Sequence, residues 1–386
     1  MNRQFDLIVV GAGVLGTLHA WHAAAIGKKV LLLEKDHRPV NASVRNFGMA
    51  IVSGMAGRWF EYGRYSTALY KEIQQEYDIS VRNNGSLYIA SDDDEQQLLH
   101  ELKEHYDQIG YEAQLLSRQQ VQEKVPAIRS SNCREGLFFP QEISLEPDQF
   151  IHRLHQYTVL KYAHVTYQPA TPAIDCVVEG DGVSVTVAGG EKFRAEKAVI
   201  ASGHEFRILF PSLFAQEDLS LVKLQMLRSL SFPDLQMEGN IATGLSIRRY
   251  ESFAECPSYS SITTPDHLRE LAKWGIHILF KKATDGTVII GDSHEYARIG
   301  EEENLGYAIN QQINELIRRE ASRIADIDLG QVKETWAGFY AVHNTKEVLE
   351  HDIENRIFIR VAIGGKGMTC AAGYAQANIE KIFACA

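Results

Sequence analysis

Apolar and β-branched residues dominate positions 5–10, the pattern of a strand buried inside a parallel sheet. Residues 14–26 are Ala-rich and read as a helix, and residues 29–33 as a second strand. Helical spacing returns at 58–77 and at 92–109, where a strongly polar composition predicts a solvent-facing layer. Ser117 opens a short helix, with Gln120 at the third following position as the partner of a capping box. Glu146-Pro147-Asp148 starts another helix, ending near Ala163. A strand is expected at 85–90. Residues 164–193 alternate in short strands around Gly180-Asp181-Gly182 and Gly189-Gly190, and a further strand begins at Ala198. A second β-rich region predicts strands at 221–230, 241–250, 277–282 and 287–290, with Asp285-Gly286 turning between the last two. An amphipathic helix follows at 303–324, then a strand at 357–363 and a helix running to Phe383.

Between the first strand and the first helix stands Gly11-Ala12-Gly13-Val14-Leu15-Gly16, and Glu34 closes the second strand. Gly11 permits the tight turn, Gly13 lets backbone approach a pyrophosphate, and Gly16 lets helix pack on strand. Val14 and Leu15 open the helix, whose N-terminal N–H groups and partial positive charge suit a diphosphate. Glu34, followed by Lys35, is placed to accept from a ribose hydroxyl. Strand, glycines, helix, strand and acid in that order point to a bound dinucleotide.

Three further segments narrow the choice of dinucleotide. The loop after Glu34 carries Ser43, Arg45, Asn46, Gly48 and Met49, donors suited to an extended cofactor. Near the other end, Gly364-Gly365-Lys366-Gly367-Met368-Thr369 links the strand at 357–363 to the final helix. Ala201-Ser202-Gly203 ends the strand from Ala198 in small residues. No second GxGxxG follows a strand, so electrons come directly from a carbon substrate rather than from a nicotinamide.

These motifs together resemble the superfamily of glycine oxidase, sarcosine oxidase and D-amino-acid oxidase, FAD-dependent amine oxidoreductases, over essentially the whole chain. The resemblance implies an α+β two-domain flavoprotein. Its Rossmann-like FAD-binding domain, on a parallel sheet, would take residues 1–78, 140–215 and 330–386. A substrate domain on a mixed, largely antiparallel sheet would take 79–139 and 216–329. It also implies that Gly11, Gly13, Gly16 and Glu34 hold the ADP half of FAD. Ser43, Arg45, Asn46 and Gly48 would line the diphosphate and ring, with Met49 close to the isoalloxazine. Ala201 and Gly203 would flank the cofactor, Gly338 would stand beside it, and the Gly364–Thr369 segment would cover the pyrimidine end. Ser43-Val-Arg-Asn-Phe-Gly48, Lys223-Leu-Gln-Met-Leu-Arg228, Gly275-Ile-His277 and Gly291-Asp-Ser-His-Glu-Tyr296 are similar to a bacterial subgroup associated with aminophosphonate breakdown.

In such an enzyme a hydride leaves the carbon beside a neutral amine, and water hydrolyses the resulting iminium to carbonyl and amine. Lys366 is the candidate for stabilising anionic reduced flavin, the alternative being an ammonium in solvent; Arg45 could assist, and Met49 completes the catalytic set. In Trp336-Ala-Gly-Phe-Tyr340 the family's glycine-oxidase-like members usually carry a carboxylate-binding arginine near the position of Tyr340. A tyrosine cannot form that bidentate pair. Arg228, and one of the adjacent Arg248 and Arg249 beside Tyr250, are then candidates for an anionic group, with Tyr340 completing the shell. His277, His294 and His343 could contact substrate or serve as structural histidines. No cysteine occurs between 257 and 369, so FAD is expected to be noncovalent.

The expected substrate is a small amine with an anionic group, an aminoalkylphosphonate or its N-methyl derivative; glycine, sarcosine or a D-amino acid is the alternative. A noncatalytic flavin-binding subunit and an NAD-dependent dehydrogenase are the competing readings. Oxygen, a quinone and an electron-transfer protein are all open as electron acceptor. The 386 residues carry a net charge of −11, which argues against a binder of nucleic-acid backbones. No run of eighteen apolar residues implies a membrane span, and the first residues lead straight into a strand, leaving no room for a signal peptide. Five scattered cysteines and 14 histidines without ligand spacing predict no metal site and reduced thiols in the cytoplasm.

Overall fold

The computed structural model describes residues 4–384; Met1–Arg3, Cys385 and Ala386 lie outside them. Its centre is a sheet in which Phe5–Val10 lies between Lys192–Ile200 and Val30–Leu33, all parallel. Val165–Gln168 extends this sheet on one side and Ile357–Val361 on the other, again in parallel. An antiparallel edge strand, Leu349–Ile353, and the Ala173–Glu179/Gly182–Val187 hairpin complete eight strands. Leu7, Ile8 and Val9 are fully buried, which is why this strand lacks alternation.

Helices cover one face. Val14–Ala25, Gly57–Glu76 and Gly367–Ala384 pack together, and Gly373 permits the closest crossing. A Cβ there would fall 2.5 Å from Tyr62 Cα. Trp59 stacks on Tyr374 in the same layer.

A second, nine-stranded sheet is antiparallel except where Asn240–Thr243 runs parallel to Ser86–Ala90. The two-stranded pair Met49–Ala50 with Ile143–Ser144 stands apart from both sheets. The strand Val332–His343 pairs along the length of Leu219–Ser229. It therefore belongs to the second sheet, whereas the sequence division groups it with the cofactor segments.

Two elements differ from expectation. The strand expected at 241–250 stops at Thr243, and Gly244–Ile247 turns helical. Gly244 abuts the buried Glu95 carboxylate, where a Cβ would lie 2.4 Å from Oε1, so the chain turns beside that acid. The helix expected at 303–324 begins only at Gln311. Gly306, at φ +55°, breaks the earlier turn, and the Asn310 side chain accepts from Gln312 N to cap the new one. The Ser117–Gln120 capping box and the Gly286 turn form as the residues indicate.

Candidate functional site

A cavity of about 540 Å³ is lined from the Gly11 turn at one end to Tyr340 at the other. At its first end Gly11 adopts φ +97°, and a Cβ there would lie 2.4 Å from Ala201 O. That contact seats the turn against Ala201-Ser202-Gly203, all of which line the cavity. The helix after Gly13 has no side-chain cap. Ser43 Oγ accepts from Val14 N at 2.9 Å, while the Gly13 and Leu15 N–H groups have no protein acceptor among the described residues. Gly16 does not reach the cavity; a Cβ there would lie 1.8 Å from Gly11 O, so it serves helix packing.

Glu34 is buried, its two oxygens accepting from Ala12 N at 3.0 Å and Asp36 N at 3.1 Å. Lys35 lines the same end but pairs with Asp36. His155, which the sequence did not single out, lies 2.8 Å from Ala12 O and 2.6 Å from Thr17 Oγ1. Burial lowers its pKa to about 4, so a neutral imidazole braces the glycine turn.

The middle of the cavity is shaped by two loops. Arg45 lines it with its guanidinium fastened to the backbone, Nε donating to Val40 O at 2.7 Å and Nη1 to Ala337 O. Asn46 donates to Ala42 O and accepts from Gly48 N, so it shapes the loop. Gly48 adopts φ +73° where a Cβ would fall 2.2 Å from Leu145 O. Met49 is buried in the wall. A Cβ on Gly338 would lie 3.1 Å from both Arg45 O and Leu224 Cδ1. Gly364 through Thr369 line the cavity where the last helix begins. Lys366 lines the cavity, and its ammonium is not free in solvent: it pairs with Glu251 at 2.8 Å and lies over the Trp59 ring.

At the far end the structure brings together Tyr250, His277 and Tyr340, but neither Arg228 nor Arg248. Arg248 is withdrawn into the protein, bound to Asp92 at 2.6 Å and Glu95 at 2.9 Å. Arg228 shares a strand with the cavity-lining Leu224 but sits about 13 Å further along it, pairing with Glu334 at 3.4 Å. The helical turn that removes Arg248 presents Arg249 instead, which lines the cavity. Its Nη1 donates to Gly275 O at 3.1 Å and lies 3.2 Å from His294 Nδ1; Nη2 reaches Tyr296 Oη at 3.4 Å. His343 does not line the cavity and pairs with Glu217.

Asp292 is the acid of this corner. Its Oδ1 lies 2.7 Å from His277 Nε2, and His277 Nδ1 lies 2.9 Å from Ser246 Oγ. Burial alone would raise the Asp292 pKa, but His277, His294 and Arg249 hold it down to about 2. Burial lowers the pKa of His294 to about 4 and raises those of Tyr250 and Tyr340. His277, Asp292 and His294 bring atoms of metal-ligating type within 4.8 Å. The Arg249 guanidinium already places a fixed positive charge there, so the corner suits an anion better than a cation. Asp292, Ser246 and Glu251 were missed in the sequence, although Asp292 and His294 lie in the Gly291–Tyr296 motif.

The model of the family described as FAD dependent oxidoreductase matches residues 6–380. The chain belongs to the FAD-dependent oxidoreductases. Glycine oxidase from Bacillus licheniformis is 24% identical over 353 residues, 88% of this chain and 81% of that protein. Among solved structures, L-proline dehydrogenase from P. horikoshii superposes with a TM-score of 0.80 at 17% identity, covering 100% of this chain and 95% of the other. Glycine oxidase from Geobacillus kaustophilus gives 0.76 at 17%, covering 98% and 95%.

The cavity fits FAD. Unpaired N–H groups at Gly13 and Leu15 suit its diphosphate, and the side-chain-free position 13 leaves room for close approach. Buried Glu34 offers carboxylate oxygens near the glycine turn. The cavity then continues between the Arg45 and Gly364–Thr369 loops to the Arg249 corner, so the reacting end of such a cofactor has space beside a polar pocket. No helix among the described residues is long and apolar enough to cross a membrane.

Proposed function

We propose that this FAD-dependent oxidoreductase oxidises a small primary or secondary amine bearing an anionic group, best an aminoalkylphosphonate or its N-methyl derivative. The observation that carries the reading is Arg249, a guanidinium in the cavity wall ringed by Tyr250, His294 and Tyr296, with Tyr340 nearby. A phosphonate offers three acceptor oxygens, and this corner supplies several donors rather than one bidentate clamp. In this reading Gly11, Gly13, Val14, Leu15 and Glu34 hold the ADP half of FAD, with Ala201, Ser202 and Gly203 alongside. Ser43, Arg45, Asn46, Gly48, Met49 and Gly338 shape the middle, and Gly364 through Thr369 close over it.

Bound FAD would supply a hydride acceptor for the C–H bond beside the amine nitrogen. The protein's share is positioning and electrostatics. Arg249 fixes the anionic end, the Tyr250 and Tyr340 hydroxyls donate to it, and Met49 with Leu224 keeps the wall apolar. The Lys366 ammonium adds positive charge at the Gly-rich loop. The buried, unpaired Cys133, Cys176, Cys256 and Cys370 support a reducing, cytoplasmic setting.

The B. licheniformis likeness favours a second reading, in which the substrate is glycine, sarcosine or a D-amino acid. A panel of aminophosphonates and their carboxylate analogues separates the two by anaerobic bleaching of the flavin. Peroxide release in air tests oxygen as acceptor. Glycine or sarcosine turning over better than every phosphonate would overturn the substrate assignment. A flavin that none of these amines bleaches would point to a noncatalytic subunit.

A further inference from the structure

Among the described residues, the titratable and charged groups at the Arg249 end of the cavity other than His294 already have fixed roles. Asp292 is committed to His277, and His277 is held at its other nitrogen by Ser246. Arg249 supplies one permanent positive charge. His294 stands between them: its Nδ1 lies 3.0 Å from Gly275 O, and its Nε2 makes no hydrogen bond among the described residues. Tyr296 and Tyr340 flank its ring, with centroids 6.4 Å away in each case. The groups that face His294 are thus Asp292 (Oδ1 3.9 Å from Nδ1), His277, Arg249, Tyr296 and Tyr340, with Tyr250 behind His277.

Resting on the proposed reading, we infer that His294 is a specificity-determining residue that takes up a proton when a doubly charged anion binds beside Arg249. Gly275 O lies within reach of both Arg249 Nη1 at 3.1 Å and His294 Nδ1 at 3.0 Å, and with both nitrogens donating to that carbonyl a neutral His294 has only a lone pair left at Nε2. One negative charge on a ligand is met by Arg249 and the tyrosine hydroxyls. A second faces that lone pair, which repels an anionic oxygen, whereas a protonated Nε2 donates to it. Burial favours the neutral ring. An incoming dianion reverses the local potential and favours the imidazolium. Phosphonate binding is then linked to proton uptake, and carboxylate binding is not. The same corner therefore discriminates by charge as well as by shape.

The test uses anaerobic, chemically reduced holoenzyme, whose flavin cannot accept a hydride, so that ligands bind without turnover. 2-Aminoethylphosphonate and its carboxylate analogue β-alanine are titrated calorimetrically at pH 8 in buffers of different ionisation enthalpy. Because the two ligands share the same amine, the difference in protons exchanged isolates the anionic group. About one more proton taken up with the phosphonate is expected, with a ³¹P shift showing that the bound phosphonate is still the dianion. His294→Gln should abolish the difference and weaken phosphonate binding roughly ten- to a hundredfold, with a much smaller effect on β-alanine. His294→Asn, checked by its flavin spectrum, guards against a folding defect. Phosphonate binding with no extra proton, a ³¹P shift of the monoanion, or a difference that survives His294→Gln would overturn the assignment while leaving the substrate reading intact. Failure of the phosphonate to bind would overturn both.

Discussion

The guanidinium of Arg249 and the imidazole of His294 meet at 3.2 Å, joining the end of a short helix to the turn after Val288–Gly291. The side chain of its neighbour Arg248 is 5% exposed and tied to Asp92 and Glu95. The two arginines should fail differently when changed. Arg249→Gln is expected to raise Kd for anionic amines ten- to a hundredfold, read from the substrate dependence of flavin reduction, with little loss of stability. Arg248→Gln leaves the fully buried Glu95 without its cation, so it should cost on the order of 3 kcal/mol in chemical denaturation. Equal effects of the two changes on Kd would show that Arg249 does not contact the anion.

A cofactor prediction follows from the first turn. Purified protein should be yellow and release intact FAD on acid precipitation, since no cysteine among the described residues lines the cavity. Gly13→Val should yield protein largely free of flavin, because a side chain there projects toward Ser43 Oγ, 3.1 Å from the Cβ position. Colour remaining in the acid pellet would instead reveal a covalent link.

The Lys366–Glu251 pair makes an electrostatic prediction with opposite signs. Removing the ammonium by Lys366→Met should lower the flavin midpoint potential and slow its reduction, while FAD stays bound. Glu251→Gln frees that ammonium and should raise the potential. Shifts of roughly 30 mV, a tenfold change for a two-electron couple, are expected in dye-coupled titrations. Unchanged potentials in both variants would make the lysine a bystander.

Acid stability depends on His155. Its pKa is lowered to about 4 by burial, whereas the unfolded chain binds a proton near 6.5. Between those values the unfolded state holds more protons, so stability is full above pH 6.5 and falls as pH drops toward 4. From this one residue the loss between pH 7 and pH 5 should be on the order of 2 kcal/mol. His19 and His22 are shifted the same way and add to it. His155→Gln should lose measurably less stability over that interval in urea titrations of the flavin-free protein.

The first half of the cavity was legible because it is local. Gly11, Gly13, Gly16 and Glu34 lie within one strand–helix–strand unit, and spacing alone places them together. The Arg249 corner is assembled from segments far apart in the chain, 246–251, 275–277, 292–296 and 340. Sheet pairing and the Gly244 turn build it, and neither leaves a periodic signal. Residues 241–247 alternate as a strand would, so Arg248 and Arg249 appeared on opposite faces of an extended chain. What withdraws Arg248 is the carboxylate of Glu95, 153 positions earlier, which also abuts Gly244. Residues 303–310 misled for a simpler reason: the stretch holds no proline and reads as an extension of the amphipathic helix, whereas Gly306 ends one turn and Asn310 caps the next.

The strand Lys192–Ile200 is hydrogen-bonded on one side to Phe5–Val10 and on the other to Ile357–Val361. That arrangement imposes an order on biosynthesis. The glycine turn emerges from the ribosome well before the segment bearing Gly364–Thr369, and its sheet stays open at one edge until that segment has been made. Nascent chain can fold its early pieces, but this wall of the cavity follows much later. Retention of FAD is therefore expected only once that later segment has folded, and a chain interrupted before it would present the glycine turn without the opposite wall of the cavity.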